Sequence, residues 1–182
     1  MGSYYYLAAQ LPYLIYGQAP PMSSAAFREM ALDALSPGDA EILDFCTLEP
    51  SAGKALSSEF INSWQEWEEA LRLNLSKNRS QKLKRESTDL REAPEYPADA
   101  AAVAKAALNI DSPLEAELFL DKARWNVIEF FQGINYFSEN TIYAYLLKLL
   151  LMERRQAFNT EEGFSEYKTL YASILENAGD SK

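Results

Sequence analysis

Along this chain apolar residues recur at three- and four-residue steps, the spacing of one face of an α-helix, and they seldom alternate as strand residues do. The longest run, Ile142 to Met152, is eleven residues interrupted by Lys148 alone. It follows a helix-start signal at Phe137-Ser138-Glu139-Asn140 and predicts a helix from Ser138 to about Phe158 that is buried on most sides. A post of this kind needs other helices around it, because a rod that is apolar all round is stable only when covered.

Amphipathic segments supply that cover. Residues 4–9 start a short helix, which Pro12, Gly17 and Pro20-Pro21 break into a loop. Ser23 or Ser24 caps a second helix reaching about Leu35, with Phe27, Met30, Ala31 and Leu35 on one face. Ser36-Pro37-Gly38-Asp39 starts a third, over about 37–46, with Ser at N-cap and Pro at N1. Ser57 or Ser58 opens a long helix that turns Phe60, Ile61, Trp64, Trp67, Leu71 and Leu75 to one side. Ala98 to Leu108 reads as a small alanine-rich helix. Ser112-Pro113-Leu114-Glu115 is a capping box, and the helix it begins carries Leu114, Leu118, Trp125, Ile128 and Phe131 inward until Gly133. A last helix starts at Thr160, carries Phe164, Tyr167, Leu170, Tyr171 and Ile174, and stops before Gly179. The fold class is therefore all-α, a bundle of about seven helices. Between Ser76 and Pro97 hydrophobicity drops and two prolines intervene, which divides the chain into an N-terminal lobe (1–90) and a C-terminal lobe (91–182), free to pack as one domain.

Composition narrows the functions available. At 182 residues the chain holds a core without staples, and its 23 aromatic residues (Tyr 11, Phe 9, Trp 3) outnumber its 7 glycines. A net charge of −10 opposes nucleic acid, whose phosphates are bound through Lys and Arg. The basic cluster Lys77, Arg79, Lys82, Lys84, Arg85 and Arg91 runs against that balance and lacks aromatic residues for base stacking. It reads as a solvated helix end, where cations suit the helix dipole, with a docking patch for an acidic protein as the other reading. Cys46, the single cysteine, lies among Ile42, Leu43 and Phe45 as a small core residue, and no export signal or membrane-length apolar run is visible.

Histidine is absent, which removes Ser-His-Asp and Cys-His nucleophile systems, His-containing zinc sites and Glu-x-x-His di-iron pairs. No phosphate-binding glycine loop occurs. The remaining candidates are carboxylates. Glu117 and Asp121 lie four apart on one helix face, the spacing for sharing a divalent cation, with Asp111 and Glu115 nearby. The plainer reading assigns Asp111 and Glu115 to helix-start electrostatics, Asp121, Lys122 and Arg124 to surface pairing, and Glu66, Glu68 and Glu69 to a solvated face. On that reading there is no catalytic residue, cofactor or metal.

Two segments carry a resemblance. Tyr5-Tyr6-Leu7-Ala8-Ala9 resembles the Tyr-Leu-x-Ala opening of the helical collar subunit of the rotary V/A-type ATPases, and Phe137 to Lys148 resembles its later Ala-Tyr-Leu helix. More of the chain is similar to an uncharacterised bacterial family encoded among V/A-type ATPase genes, through Trp67-Glu68-x-x-Leu71-Arg72, Pro113-Leu114-Glu115-Ala116-Glu117 and Leu120-Asp121-x-x-Arg124-Trp125. The resemblance implies a shortened counterpart of that collar: a non-catalytic central-stalk connector or assembly factor, cytoplasmic, joining the soluble stalk to the membrane rotor ring without entering the membrane. The collar subunit itself is longer, with three related lobes, and has Arg where Gln10 stands here. Tyr4, Tyr5, Tyr13 and Tyr16, with the Pro20-Pro21 turn, are the candidate docking edge for those partners; their other reading is as caps on the core.

Overall fold

The computed structural model describes residues 4–50, 56–83 and 98–158, which form seven helices with no strand among them. In chain order these are α1 (Tyr5–Gln10), α2 (Ser24–Leu32), α3 (Pro37–Leu43), α4 (Glu59–Lys82), α5 (Ala98–Ala107), α6 (Pro113–Gln132) and α7 (Glu139–Gln156). The helix expected after Thr160, the lobe boundary near residue 90 and the cations Lys84, Arg85 and Arg91 lie outside the described residues.

Helix starts follow the chemistry read from the chain. Ser23, Ser36, Ser58 and Ser112 each accept a hydrogen bond from the backbone N–H three residues on, satisfying donors that the helix leaves orphaned. Ser138 departs from this pattern, its Oγ donating instead to the carbonyl of Asn135 at 2.9 Å, so the α6–α7 turn is closed on itself. Helices α2 and α3 end at Leu32 and Leu43, each three residues short of its expected end.

α7 is the central post. Ile142 to Leu147, Leu149, Leu151 and Met152 are all buried. α2 crosses it with Phe27 against Tyr145, ring centroids 4.8 Å apart, and Phe60 of α4 stacks on Tyr143 at 6.4 Å. α6 lies antiparallel to it: Gln132 meets Thr141, Glu129 meets Lys148 and Glu117 meets Arg154. The small face of α5, Ala100, Ala104 and Ala107, is buried where α5 packs on α4. One hydrophobic cluster thus draws on helices from both sides of residue 90. Cys46 is fully buried in it, and burial pushes its thiol pKa well up.

The α4 stripe is buried as its spacing requires. Trp64 and Trp67 stack 6.2 Å apart, and each indole N–H finds an acceptor, Trp64 on the Thr47 carbonyl at 3.0 Å and Trp67 on Asp99 Oδ2 at 2.9 Å. The α6 expectation needs correcting at its start. Leu114 is exposed and Leu118 half-buried, although both share the face of Asp121, Trp125 and Ile128. Glu117 already meets Arg154 in the last turn of α7, so Leu114, one turn earlier on α6, lies at the end of that helix pairing.

Trp64→Ala is expected to cost about 3–5 kcal/mol, read from urea unfolding monitored by circular dichroism, because it leaves a cavity between α4 and its neighbours.

Candidate functional site

Where the sequence suggested ordinary surface charges, the structure buries three of them. Glu68, Asp121 and Arg124 are at most 3% exposed. The Arg124 guanidinium donates through Nε to Glu68 Oε2 at 2.9 Å, through Nη2 to Glu68 Oε1 at 3.0 Å and through Nη1 to Asp121 Oδ1 at 3.0 Å. Such a two-pronged fork between α4 and α6 is geometry that Arg provides and Lys does not. Arg72 adds a bond to Glu68 Oε1 at 2.8 Å, and Arg154 of α7 approaches Asp121 Oδ1 at 3.6 Å while binding Glu117 at 2.7 Å. Both arginines near Asp121 thus address one oxygen, and Oδ2 is buried without a hydrogen-bond partner. Burial raises the Asp121 pKa even against the pull of Arg154 and Arg124. Burial alone would lower the pKa of Arg124, but its bonds and charge attraction to Glu68 and Asp121 hold it above the usual value.

This arrangement bears on the carboxylate pair weighed for a divalent cation. Glu117 and Asp121 do lie together, but Arg154 engages both and Arg79 approaches Glu117 at 3.7 Å. No group of three or more potential metal-ligating side chains occurs among the described residues. Of the basic cluster, Arg79 is drawn to Glu117 and Lys82 donates to the Leu108 carbonyl at 3.2 Å.

The four tyrosines separate into two kinds. Tyr4 is buried: its hydroxyl donates to Asp39 Oδ2, and its backbone N–H reaches the Phe137 carbonyl at 3.0 Å. Ser36 and Tyr143 also donate to the Asp39 carboxylate, at 2.7 and 3.3 Å. Tyr16 is half-buried, its hydroxyl on the Leu118 carbonyl at 2.9 Å and its ring between Lys122 and Arg155. These two fasten the N-terminal segment to the bundle, the capping role weighed beside docking. Tyr5 and Tyr13 face outward.

Around those two the structure gathers a larger apolar surface. Tyr5, Tyr6 and Tyr13 from the N-terminal segment, Phe130 from the last turn of α6, and Ile134, Tyr136 and Phe137 from the α6–α7 turn are all exposed, Tyr13 by 87% and Ile134 by 93%. Tyr5 packs on Phe137 with centroids 4.7 Å apart, which joins the two groups. Between them opens a cleft of about 460 Å³ whose charged lining residues, among those described, are Glu129 and Lys148. The Lys148 ammonium is sunk beneath the rim, 13% exposed, bonded to Glu129 Oε1 at 3.2 Å and Gln132 Oε1 at 3.4 Å and seated 5.1 Å over the Trp125 ring. Burial lowers its pKa, with Glu129 opposing. Trp125 Nε1 donates to the same Glu129 oxygen at 2.9 Å.

The chain matches no family model, no curated protein and no solved structure. Function is therefore read from geometry. Among the described residues no helix is long and apolar enough to cross a membrane. Among the described residues Tyr13, Tyr136 and Phe137 are exposed beside this cleft, and grouped exposed aromatic residues make it a candidate binding surface.

Sequence reasoning named Tyr5 and Tyr13 but missed Phe130, Ile134 and Tyr136. A signal was present: Phe130 follows the inward Ile128 by two positions, and Ile134 and Tyr136 lie beyond the helix-ending Gly133, so none belongs to a buried stripe.

Arg124→Met strands two buried carboxylates and should cost about 3–5 kcal/mol in denaturant unfolding, whereas replacing Glu68, Arg124 and Asp121 together by Leu, Met and Leu should cost far less. A second expectation concerns acid stability. Burial pushes the Asp39 pKa up, but hydrogen bonds from Tyr4, Ser36 and Tyr143 outweigh it and hold the group below its usual value. A depressed carboxylate stabilises the fold above its unfolded pKa of about 4 and loses that contribution as pH falls through the folded value. Asp39→Asn should therefore be destabilising at neutral pH, and the gap from wild type should close on acidification, as measured by thermal melts across pH.

Proposed function

We propose that this chain is a non-catalytic connector or assembly subunit of a V/A-type rotary ATPase, a rigid helical spacer that joins other proteins. The observation that carries the connector reading is the exposed aromatic cleft between the N-terminal segment and the α6–α7 turn. A part that transmits force between partners needs helices that resist sliding and a broad contact surface. The buried fork of Arg124 suits the first need and the aromatic rim suits the second, aromatic residues being enriched at protein interfaces. The assignment to a rotary ATPase rests on the sequence resemblance around Trp67 to Arg72, Pro113 to Glu117 and Leu120 to Trp125.

On this reading the partners are the central stalk and the rotor ring, and the chain sits in the cytoplasm at the inner face of the membrane through them. It inserts nothing into the bilayer and takes no part in the chemistry of ATP. A tagged chain purified from its own host should bring down V/A-type ATPase subunits in constant ratio. Purification that repeatedly recovers the chain without them removes the rotary-ATPase assignment.

A further inference from the structure

We propose that the cleft between the N-terminal segment and the α6–α7 turn takes a neutral aryl aldehyde, with which the amine of Lys148 condenses reversibly to an imine and water. This chemistry does not depend on the connector reading, which gives Lys148 no role.

An amine attacks a carbonyl only as the free base, and an ordinary surface lysine is almost wholly protonated at neutral pH. A reactive lysine therefore needs to be withdrawn from water and set beside a group that accepts its proton. Lys148 meets both conditions. Its side chain is 13% exposed, and burial is the largest influence on its pKa, lowering it against the opposing pull of Glu129. Glu129 Oε1 is 3.2 Å from Nζ, and the Glu129 side chain is half-exposed, so a proton passed to it can leave to solvent. Gln132 Oε1, at 3.4 Å, is a second polar contact. Lys148, Glu129 and Gln132 all line the cleft, which puts the amine and its proton acceptor at the edge of the space a ligand fills. The Trp125 ring, 5.1 Å from Nζ, stabilises a cation there, and a protonated imine is a cation too.

The rest of the lining selects the aldehyde. Leu11, Tyr13, Leu14, Tyr136, Phe137 and Tyr145 supply apolar and aromatic surface, against which a flat ring packs well, and about 460 Å³ is room for a small ring compound. The two charged lining residues pair with each other, so an ion finds no unbalanced charge in the cleft and a neutral molecule is the better occupant.

Atoms and charge balance without a further reagent. The Lys148 ammonium gives a proton to the Glu129 carboxylate, and the freed nitrogen lone pair bonds to the carbonyl carbon while the C=O π pair moves onto oxygen. A proton shifts from nitrogen to that oxygen, forming a carbinolamine. Glu129 then returns its proton to the hydroxyl, which leaves as water while the nitrogen lone pair closes the C=N bond. The product is a protonated imine beside a carboxylate, the same pair of charges as at the start.

To test this, the full-length protein is mixed at neutral pH with benzaldehyde and sodium cyanoborohydride, which reduces imines to stable amines, and the adducts are located by peptide mass spectrometry. Lys148 should be alkylated at least about tenfold faster than Lys105, an exposed lysine on α5. Benzyl alcohol, which has the ring but forms no imine, should slow labelling of Lys148 and leave that of Lys105 unchanged. Acetaldehyde, which lacks the ring, should show a preference for Lys148 about fivefold or more smaller. Tyr13→Ala combined with Tyr136→Ala, both side chains being exposed enough to remove without unfolding the bundle, should cut the benzaldehyde preference by a similar factor.

Labelling of Lys148 no faster than that of Lys105 overturns the proposal. So does an equal preference with acetaldehyde, an absence of protection by benzyl alcohol, or an unchanged preference in the tyrosine variant. Recovery of ATPase subunits with the tagged chain bears on the connector reading alone, so each can fail without the other.

Discussion

The bundle turns on the placement of one guanidinium. Arg124 lies between α4 and α6 with Glu68 on one side and Asp121 on the other, three charges removed from water, and the half-buried Arg154 extends the link to α7. An apolar seam can slide by a fraction of a turn at modest cost, because hydrophobic contact is non-directional. A forked set of hydrogen bonds resists this, since any shift breaks both bonds from Arg124 to the buried Glu68 carboxylate. The rotation of α6 about its axis is thereby fixed, and with it the directions in which Phe130 and the α6–α7 turn project.

Much of this architecture could be read from the chain. Serine and proline at helix starts, the tryptophan stripe of α4 and the apolar post of α7 are local signals, and each reappears in the structure because nothing distant competes with it. Failures came where the outcome depends on what lies opposite. Glu68 directly follows Trp67 in a sequence that reads equally well as a charged outer face, and only the arrival of α6 turns it into a core residue. Leu114 fits its stripe but lies at the end of the α6–α7 pairing, where it is exposed. Of the four tyrosines, Tyr4 and Tyr16 acquire internal partners more than 30 and 100 residues away, Asp39 and Leu118, which no local pattern encodes.

The N-terminal segment is more than a rim for the cleft. Pro12 receives the Tyr145 hydroxyl on its carbonyl at 3.0 Å, Tyr16 rests edge-on to Trp125, and Ser24 gives both its N–H and its hydroxyl to the carboxylate of Glu153 at 2.6 Å. A loop with few helical bonds of its own is thus pinned to α6 and α7 at successive points. The placement of Glu153 at the start of α2 also sets a negative charge against the positive end of that helix. The exposed tyrosines consequently stand on a fixed base, and a surface fixed before binding gives up less conformational entropy when it meets its partner.

The lone thiol has a practical side. Cys46 is sealed in the core, bonded weakly to the Ile42 carbonyl, and its thiolate is strongly disfavoured by burial, so the native protein is close to inert toward maleimide and other thiol-directed dyes. A single cysteine introduced on the outer surface would then be the one reactive handle on the molecule, with no need to remove the natural one and disturb the packing around it. Fluorophores for distance measurements, spin labels for pulsed resonance and photo-crosslinkers can each be attached beside the aromatic rim on an otherwise unaltered chain.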